Sequence, residues 1–193
     1  NYMKKLIYTV VLAKLSLLVL FATLFFSSSQ TTSFSQVKPT PTPDTNTSTN
    51  TIDRPVSDPY TGDLSIFEDQ NRAENLQIDR VMDILKITKG KSVADIGAGS
   101  GWFTTRAAKR VSESGKVFAV EINQEFIDHI NERAKKENFK NIRTILGTED
   151  DPKLEPNSID ACLILKTYHE IAQPIKVMQN LKKSFKKDAL LGI

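Results

Sequence analysis

The sequence predicts an α/β fold, in which a doubly wound parallel sheet has helices packed against its faces. Two observations carry this prediction. Short β-rich apolar runs alternate with amphipathic helical patterns from residue 72 to residue 193, as is typical of right-handed crossovers between parallel strands. The first of these apolar runs also ends in a glycine-rich turn, which is where such sheets bind ligands. We therefore expect a ligand site at the carboxyl edge of the sheet.

The first elements follow from residue spacing and from turn residues. Apolar residues recur at helical spacing over 72–87, and a Lys-Gly pair at 89–90 marks the end of this predicted helix. The short apolar run at 92–96 predicts the first strand. A second helix is predicted over 102–111, before a Ser-Gly pair that stops it.

The rest of the chain repeats this alternation. The run at 159–165 is apolar along nearly its whole length, which predicts a central strand buried on both faces. Asn123 precedes an amphipathic pattern and is a candidate helix cap. The remaining predicted elements are helices at 124–137 and 174–185 and strands at 116–122, 142–146, 159–165 and 189–193.

The segment before the predicted domain begins with a targeting pattern. Residues 1–35 contain Lys4 and Lys5, then an apolar run at 15–26 and a small-x-small cleavage pattern at 33–35, which together are typical of a signal peptide. The uninterrupted apolar run is short for a bilayer span of about 20 residues. We therefore expect a cleaved signal and export to the periplasm or the extracellular space. An uncleaved membrane anchor is the alternative.

A polar segment follows the targeting pattern. Residues 36–62 are rich in Thr, Ser and Pro and carry few large apolar side chains, so they predict a disordered linker. The Pro-Thr repeat at 38–43 favours an extended spacer. Residues 63–193 then remain as one predicted domain.

Composition narrows the classes of function. The 193 residues include 26 Lys and Arg against 23 Asp and Glu, and the formal net charge is +3. Because no basic run is interleaved with aromatic residues, we expect no nucleic acid partner. The two histidines and one cysteine are widely separated, so the sequence predicts no metal site. We interpret the cysteine, Cys162, as a small core residue.

The turn after the first predicted strand is the most informative part of the chain. Gly97, Gly99 and Gly101 form a G-x-G-x-G pattern there, and Asp95 precedes the first glycine by two residues. Gly97 permits a sharp reversal, and Gly99 lacks the Cβ that would obstruct a ligand lying against the backbone. Gly101 allows close packing where the next helix begins. The spacing differs from the G-x-G-x-x-G of the dinucleotide fingerprint.

Residues 93–104 resemble motif I of the class I S-adenosylmethionine (SAM)-dependent methyltransferases, in which an apolar strand leads into D-x-G-x-G-x-G. Glu121 ends the second predicted strand and matches the acidic residue that follows this motif at a distance of about 20 residues. The resemblance covers about 72–193 and implies a Rossmann-like doubly wound parallel sheet of the class I methyltransferase type. The family fold continues with a helix and an antiparallel hairpin, so we expect a fragment that is incomplete at the C-terminus.

The resemblance also implies which residues hold SAM. Asp95 is expected at the amino group of the methionine part, and Glu121 at the ribose hydroxyls. The family places an acidic residue beside the adenine amino group in the loop after the third strand. Here Glu149 and Asp150 are the candidates for that residue, and solvated turn residues are the alternative. The predicted cofactor-binding residues are Asp95, Gly97, Ala98, Gly99, Gly101, Glu121, Ile122, Thr148, Glu149 and Asp150.

The loop after the fourth strand, at 166–170, borders the transferred methyl group in this family. His169 is the candidate catalytic residue there, since a histidine titrates near neutrality and can deprotonate an acceptor hydroxyl or amine. Tyr168 is a candidate for the wall of the cofactor pocket. The alternative is that both side chains simply pack beside Pro174.

These observations predict a SAM-dependent methyltransferase that acts on a small-molecule acceptor and meets the membrane only through its N-terminal segment. Two alternatives stay open. One is a non-catalytic SAM-binding module, which would keep the same glycines and the same acidic residue. The other is an NAD-dependent oxidoreductase, which the glycine spacing disfavours.

Overall fold

The computed structural model describes residues 55–193. The predicted signal peptide or anchor at 1–35 and the predicted linker up to residue 54 lie outside this range. No helix within it is long and apolar enough to cross a membrane. The elements are α1 (Arg72–Asn75), α2 (Ile78–Ile84), β1 (Ser92–Ile96), α3 (Trp102–Val111), β2 (Lys116–Glu121), α4 (Gln124–Lys136), β3 (Ile142–Leu146), β4 (Ile159–Leu163), α5 (Pro174–Ser184) and β5 (Phe185–Gly192), with 3-10 turns at Leu64–Phe67 and Tyr168–Glu170.

The five strands form one parallel sheet in the order β3-β2-β1-β4-β5. The chain therefore runs outward from β1 in one direction and then returns to build the sheet in the other. In such sheets the ligand site lies where this direction reverses, beyond the carboxyl ends of the central strands. The predicted doubly wound parallel sheet is confirmed, and its reversal point lies between β1 and β4.

Alternation along the strands creates a core on each face of the sheet. Val93 and Ala94 are successive residues of β1 that point to opposite faces, and both side chains are fully buried. Helices α2, α3 and α4 cover the face of Val93, whereas Leu181 of α5 packs on the face of Ala94. Cys162 lies in this second core as a free, buried thiol, and burial raises the pKa of that thiol. Its predicted role as a core residue is confirmed.

Three predicted elements differ from the observed ones. The single helix expected over 72–87 is divided into α1 and α2, because Gln77 adopts a left-handed conformation with φ of 46°. The fourth strand ends at Leu163, two residues early, and Lys166 turns the chain with φ of 55°. The fifth strand begins at Phe185 directly after α5, so its polar first half was not recognised as β structure.

Asp160 joins three strands at the amino end of the sheet, opposite the carboxyl ends. From its position in β4, the carboxylate accepts a hydrogen bond of 2.9 Å from the backbone N–H of Ser92 in β1. It also forms ion pairs with Lys91, at 3.2 Å, and with Lys186 of β5, at 2.8 Å. The polar start of β5 is therefore held in the sheet by charge.

Candidate functional site

A cavity of about 960 Å³ lies at the carboxyl edge of the sheet. Its volume is in the range of roughly 300–1,000 Å³ that is common for small-molecule sites. The strand ends and the loops that follow them form its floor. We call residues 55–68 the N-terminal strap, and its residues 56–61, 66 and 67 form another part of the wall. Its lining residues include Tyr60, Phe67, Arg72, Asp95, Gly97, Ala98, Gly99, Glu121, Ile122, Thr148, Glu149, Thr167 and Glu170.

Two glycines of the turn after β1 let other groups approach the backbone closely. A Cβ on Gly97 would lie 2.3 Å from the Cγ2 atom of Thr167, so the loop after β4 can pack against the turn only when residue 97 is glycine. A Cβ on Gly99 would stand in the cavity, 3.7 Å from the ring of Phe67. Both residues have positive φ, at 71° and 55°, which favours glycine. The turn is thus shaped for a ligand that lies against its backbone.

Gly101 has a different role from that of its neighbours. Its φ is 77°, and a Cβ there would meet Ile130 of α4 at 3.2 Å. The residue faces the helix packing and is absent from the cavity wall. The sequence analysis predicted both close packing and a place in the binding set for Gly101, and the geometry agrees with the packing role.

Glu121 ends β2 and holds the glycine turn directly. Its Oε1 atom accepts a hydrogen bond of 2.7 Å from the N–H of Gly99, and its Oε2 atom accepts one of 3.1 Å from the N–H of Ile122. Burial raises the pKa of this carboxyl despite these hydrogen bonds. Each carboxylate oxygen can accept more than one hydrogen bond. The side chain can therefore still receive two hydroxyl groups from a ligand in the cavity.

Asp95 lies at the end of β1 and is 1% exposed. Its Oδ2 atom accepts a hydrogen bond of 2.6 Å from the hydroxyl of Thr104, in the first turn of α3. Burial raises the pKa of Asp95 to about 7, and the charge of Glu121 adds to this shift, whereas the contacts with Thr104 oppose it. A carboxylate in this position favours a cationic group of a ligand.

The loop after β3 contributes unequally to the site. Thr148 and Glu149 line the cavity, and Asp150 does not. The Oδ1 atom of Asp150 instead accepts a hydrogen bond of 2.9 Å from the hydroxyl of Thr148. Of the two acidic residues predicted to contact adenine, Glu149 thus lines the cavity, whereas Asp150 does not and is hydrogen-bonded to Thr148.

Two adjacent titratable residues of the loop after β4, His169 and Glu170, differ in exposure and in position relative to the cavity. The side chain of His169 is 60% exposed and lies outside the cavity wall, whereas that of Glu170 is 24% exposed and lines the cavity. The Nε2 atom of His169 is 3.7 Å from the Oε1 atom of Glu170. Tyr168 packs against the core on the face of Ala94. The catalytic role of His169 stays a prediction, and the structure brings Glu170 to the site instead.

The sequence analysis missed the N-terminal strap as part of the site. Residues 55–62 have the composition of a linker, yet Tyr60 lies in the cavity wall and stacks edge-on against Phe67, with 5.3 Å between the ring centres. The guanidinium of Arg72 lies over Phe67 and also over Trp102. The two aromatic residues, close to each other just before the first predicted helix, were the available signal.

No group of three or more His, Cys, Asp and Glu side chains within residues 55–193 is arranged to hold a metal ion. The cavity therefore offers carboxylates, backbone N–H groups and aromatic rings as its means of recognition.

Comparison with known proteins identifies the domain. A family model described as "Methyltransferase domain" matches residues 87–193, which is more than half of the chain. Among solved structures, a SAM dependent methyltransferase from Aquifex aeolicus is 28% identical with a TM-score of 0.60, and the match covers 65% of this chain and 69% of that one.

Curated relatives point to the same family. The protein-L-isoaspartate O-methyltransferase of Methanococcoides burtonii is 30% identical over 113 residues, which are 58% of this chain and 56% of that protein. An uncharacterized 37.1 kDa protein in transposon TN4556 of Streptomyces fradiae is 28% identical over 103 residues, which are 53% of this chain and 29% of that protein. The chain thus spans between about a third and a little over half of the length of these relatives. It belongs to the methyltransferase domain family and has the Rossmann-like fold of the class I SAM-dependent methyltransferases.

Proposed function

We propose that this domain binds SAM in the cavity at the carboxyl edge of the sheet and transfers its methyl group to a small-molecule acceptor. The observation that carries the proposal is the placement of Glu121. This carboxylate lies at the end of β2, lines the cavity, and accepts the N–H of Gly99 from the glycine turn. The two sequence features that mark the family, the glycine turn and the acidic residue at the end of the second strand, are therefore in direct contact.

The residues present fit the cofactor. Glu121 keeps acceptor capacity for the two ribose hydroxyls. Gly99 lines the cavity and has no Cβ between its backbone and a ligand there. Asp95 would hold the amino group of the methionine part, where a positive charge stabilises the ionised carboxylate. Glu149, in the loop after β3, lines the cavity and would contact the adenine there.

SAM supplies a methyl group already activated by its sulfonium, and the chain then has to hold the acceptor in line with it. Holding two reactants in contact can lower the activation barrier by roughly 7–11 kcal/mol. The N-terminal strap and the loop after β4 enclose the cavity, which supports exclusion of water and an acceptor of small size. Glu170 faces this space, and its carboxylate can accept the proton of an acceptor hydroxyl or amine.

Calorimetry with S-adenosylhomocysteine (SAH), the product of methyl transfer, tests the cofactor. We expect the full chain to bind SAH with a micromolar Kd, about −8 kcal/mol, and to bind NAD far more weakly. Preferential binding of NAD would favour the alternative that the domain is an NAD-dependent oxidoreductase. No binding of either ligand by folded protein would remove the proposal.

An acceptor screen separates the enzyme from a non-catalytic binding module. Radiolabelled SAM would be incubated with small amines, alcohols and thiols, and with an isoaspartyl peptide, because several relatives carry that name. Label transfer to a small molecule supports the proposal. Transfer to the peptide alone would replace the small acceptor with a protein carboxyl group.

We also propose that residues 1–35 direct export, or anchor the chain in a membrane, and that residues 36–62 connect this segment to the domain. The proposal rests on the two lysines, the apolar run and the small residues of the sequence. Fusion of residues 1–62 to a reporter enzyme active only after export tests it. An inactive, cytoplasmic fusion would contradict the proposal.

A further inference from the structure

We propose that Glu68 is a positioning residue of the binding site, which holds the N-terminal strap over the cavity and thereby slows the release of the bound cofactor. The inference rests on the proposed function, since it concerns the ligand of that cavity. It assigns a role to a residue that touches neither the predicted cofactor contacts nor the sheet.

The strap covers the part of the cavity that faces the glycine turn. Phe67 lies across from Gly99, close enough that a Cβ on the glycine would be in van der Waals contact with its ring. Tyr60 packs edge-on against Phe67, and both rings line the cavity. The two rings therefore border the part of the cavity beside the glycine turn, where they can contact a ligand that lies next to the turn.

The strap has little core of its own to hold it there. None of the side chains at 55–68 is fully buried, and the 3-10 turn at Leu64–Phe67 contributes no residue to either core. Its backbone hydrogen bond to the loop after β4, from the N–H of Ser57 to the carbonyl oxygen of His169, is long at 3.4 Å. Attachment through side-chain polar contacts is therefore important for closure.

Glu68 supplies such an attachment at the end of the strap. Arg133 of α4 donates from both terminal nitrogens to its two carboxylate oxygens, at 2.6 Å and 3.2 Å. The hydroxyl of Ser100 donates to Oε1 of the same carboxylate at 2.7 Å. Arg133 also donates to the carbonyl oxygen of Ser100, at 3.0 Å. The contact thus ties the strap at once to α4 and to the glycine turn.

A second contact fixes Phe67, the residue that precedes Glu68. The guanidinium of Arg72 donates to the carbonyl oxygen of Phe67 at 2.8 Å while it lies over the rings of Phe67 and Trp102. Phe67 is therefore fixed through its backbone, and the carboxylate of the next residue fixes the direction in which the strap continues. Release of Glu68 frees the strap end without removing any atom from the cavity wall.

The test measures the dissociation rate of SAH from the full chain by stopped-flow displacement. In Glu68→Gln, which keeps the size of the side chain, we expect the dissociation rate to rise roughly three- to tenfold, as suits loss of a bidentate, partly exposed ion pair. The matched control is Glu137→Gln. Glu137 binds the Nε atom of the same Arg133, at 2.9 Å, but belongs to the C-terminal end of α4 rather than to the strap.

A structural role alone would shift the unfolding midpoint and leave the rate untouched, so both are measured. We expect the two variants to unfold at similar denaturant concentrations, and only Glu68→Gln to release SAH faster. Added NaCl should also speed release from the unmodified chain more than from Glu68→Gln, because it screens the ion pair. Equal dissociation rates in the unmodified chain and in Glu68→Gln would overturn this inference alone. Absence of SAH binding by the unmodified chain would overturn the proposed function as well.

Discussion

Asp95 is the residue whose substitution tests the electrostatics of the site most directly. It is fully buried at the end of β1, and burial, together with the charge of Glu121, raises its pKa to about 7 from the ordinary value of 3.8 for an aspartate. Asp95→Asn keeps the shape and can still accept the hydrogen bond from the hydroxyl of Thr104. The variant removes only the ability to ionise.

The size of the effect follows from the two pKa values. A carboxyl with a raised pKa in the folded state stabilises the fold while it is protonated, and this stability is lost as the pH rises from 3.8 toward 7. The difference of about three pKa units corresponds to about 4 kcal/mol. Between pH 5 and pH 8 roughly 2–3 kcal/mol of this is lost, because some loss has already occurred at pH 5.

Urea unfolding of the ligand-free chain at pH 5 and pH 8 measures this loss. We expect the unmodified chain to lose about 2–3 kcal/mol more than Asp95→Asn between the two pH values. Asp188→Asn, the same chemical change at an exposed position of β5, is the control and should follow the unmodified chain. If the unmodified chain and Asp95→Asn lose stability in parallel, Asp95 does not ionise in this interval and the reasoning fails.

Three further substitutions test the shape of the cavity. Glu121→Ala should weaken SAH binding by about 100-fold, since two hydrogen bonds to a charged group contribute at least about 3 kcal/mol together; calorimetry with an unchanged Kd would exclude the ribose role. Gly99→Val should abolish detectable SAH binding because its side chain would stand in the cavity, and normal binding by this variant would show that the ligand lies elsewhere. Gly97→Ala should destabilise the fold by about 1–3 kcal/mol through its clash with Thr167, as measured by urea unfolding, and an unchanged midpoint would mean that the loop after β4 can move aside.

Local patterns were sufficient to predict the sheet and the floor of the site. The apolar runs at 92–96 and 116–122 predicted strands, and both are buried on both faces as β1 and β2. The run at 159–165 predicted a central strand, which is β4. The three glycines and Glu121 are recognisable because each performs a task that few other residue types can perform. Their approach to one another follows from the fold, since parallel neighbouring strands end at the same edge.

The missed features depend on contacts between distant parts of the chain. Glu68 and Arg133 are 65 residues apart, and nothing in the composition of either neighbourhood predicts that they meet. The same limit applies to Gln77, whose left-handed conformation interrupts a helix that the apolar spacing would continue. For His169 and Glu170, the sequence indicated a loop that does line the cavity, but not which of the two side chains turns toward it.

The contacts of Asp160 stabilise the end of the sheet that lies opposite the cavity. This carboxylate ties β1, β4 and β5 together at the amino end of the sheet, far from the loops that surround the cavity. None of these contacts involves those loops, so we expect changes in the loops to leave the tie intact. A library for directed evolution is therefore best confined to the strap and to the loops after β3 and β4, with Lys91, Asp160 and Lys186 left as they are.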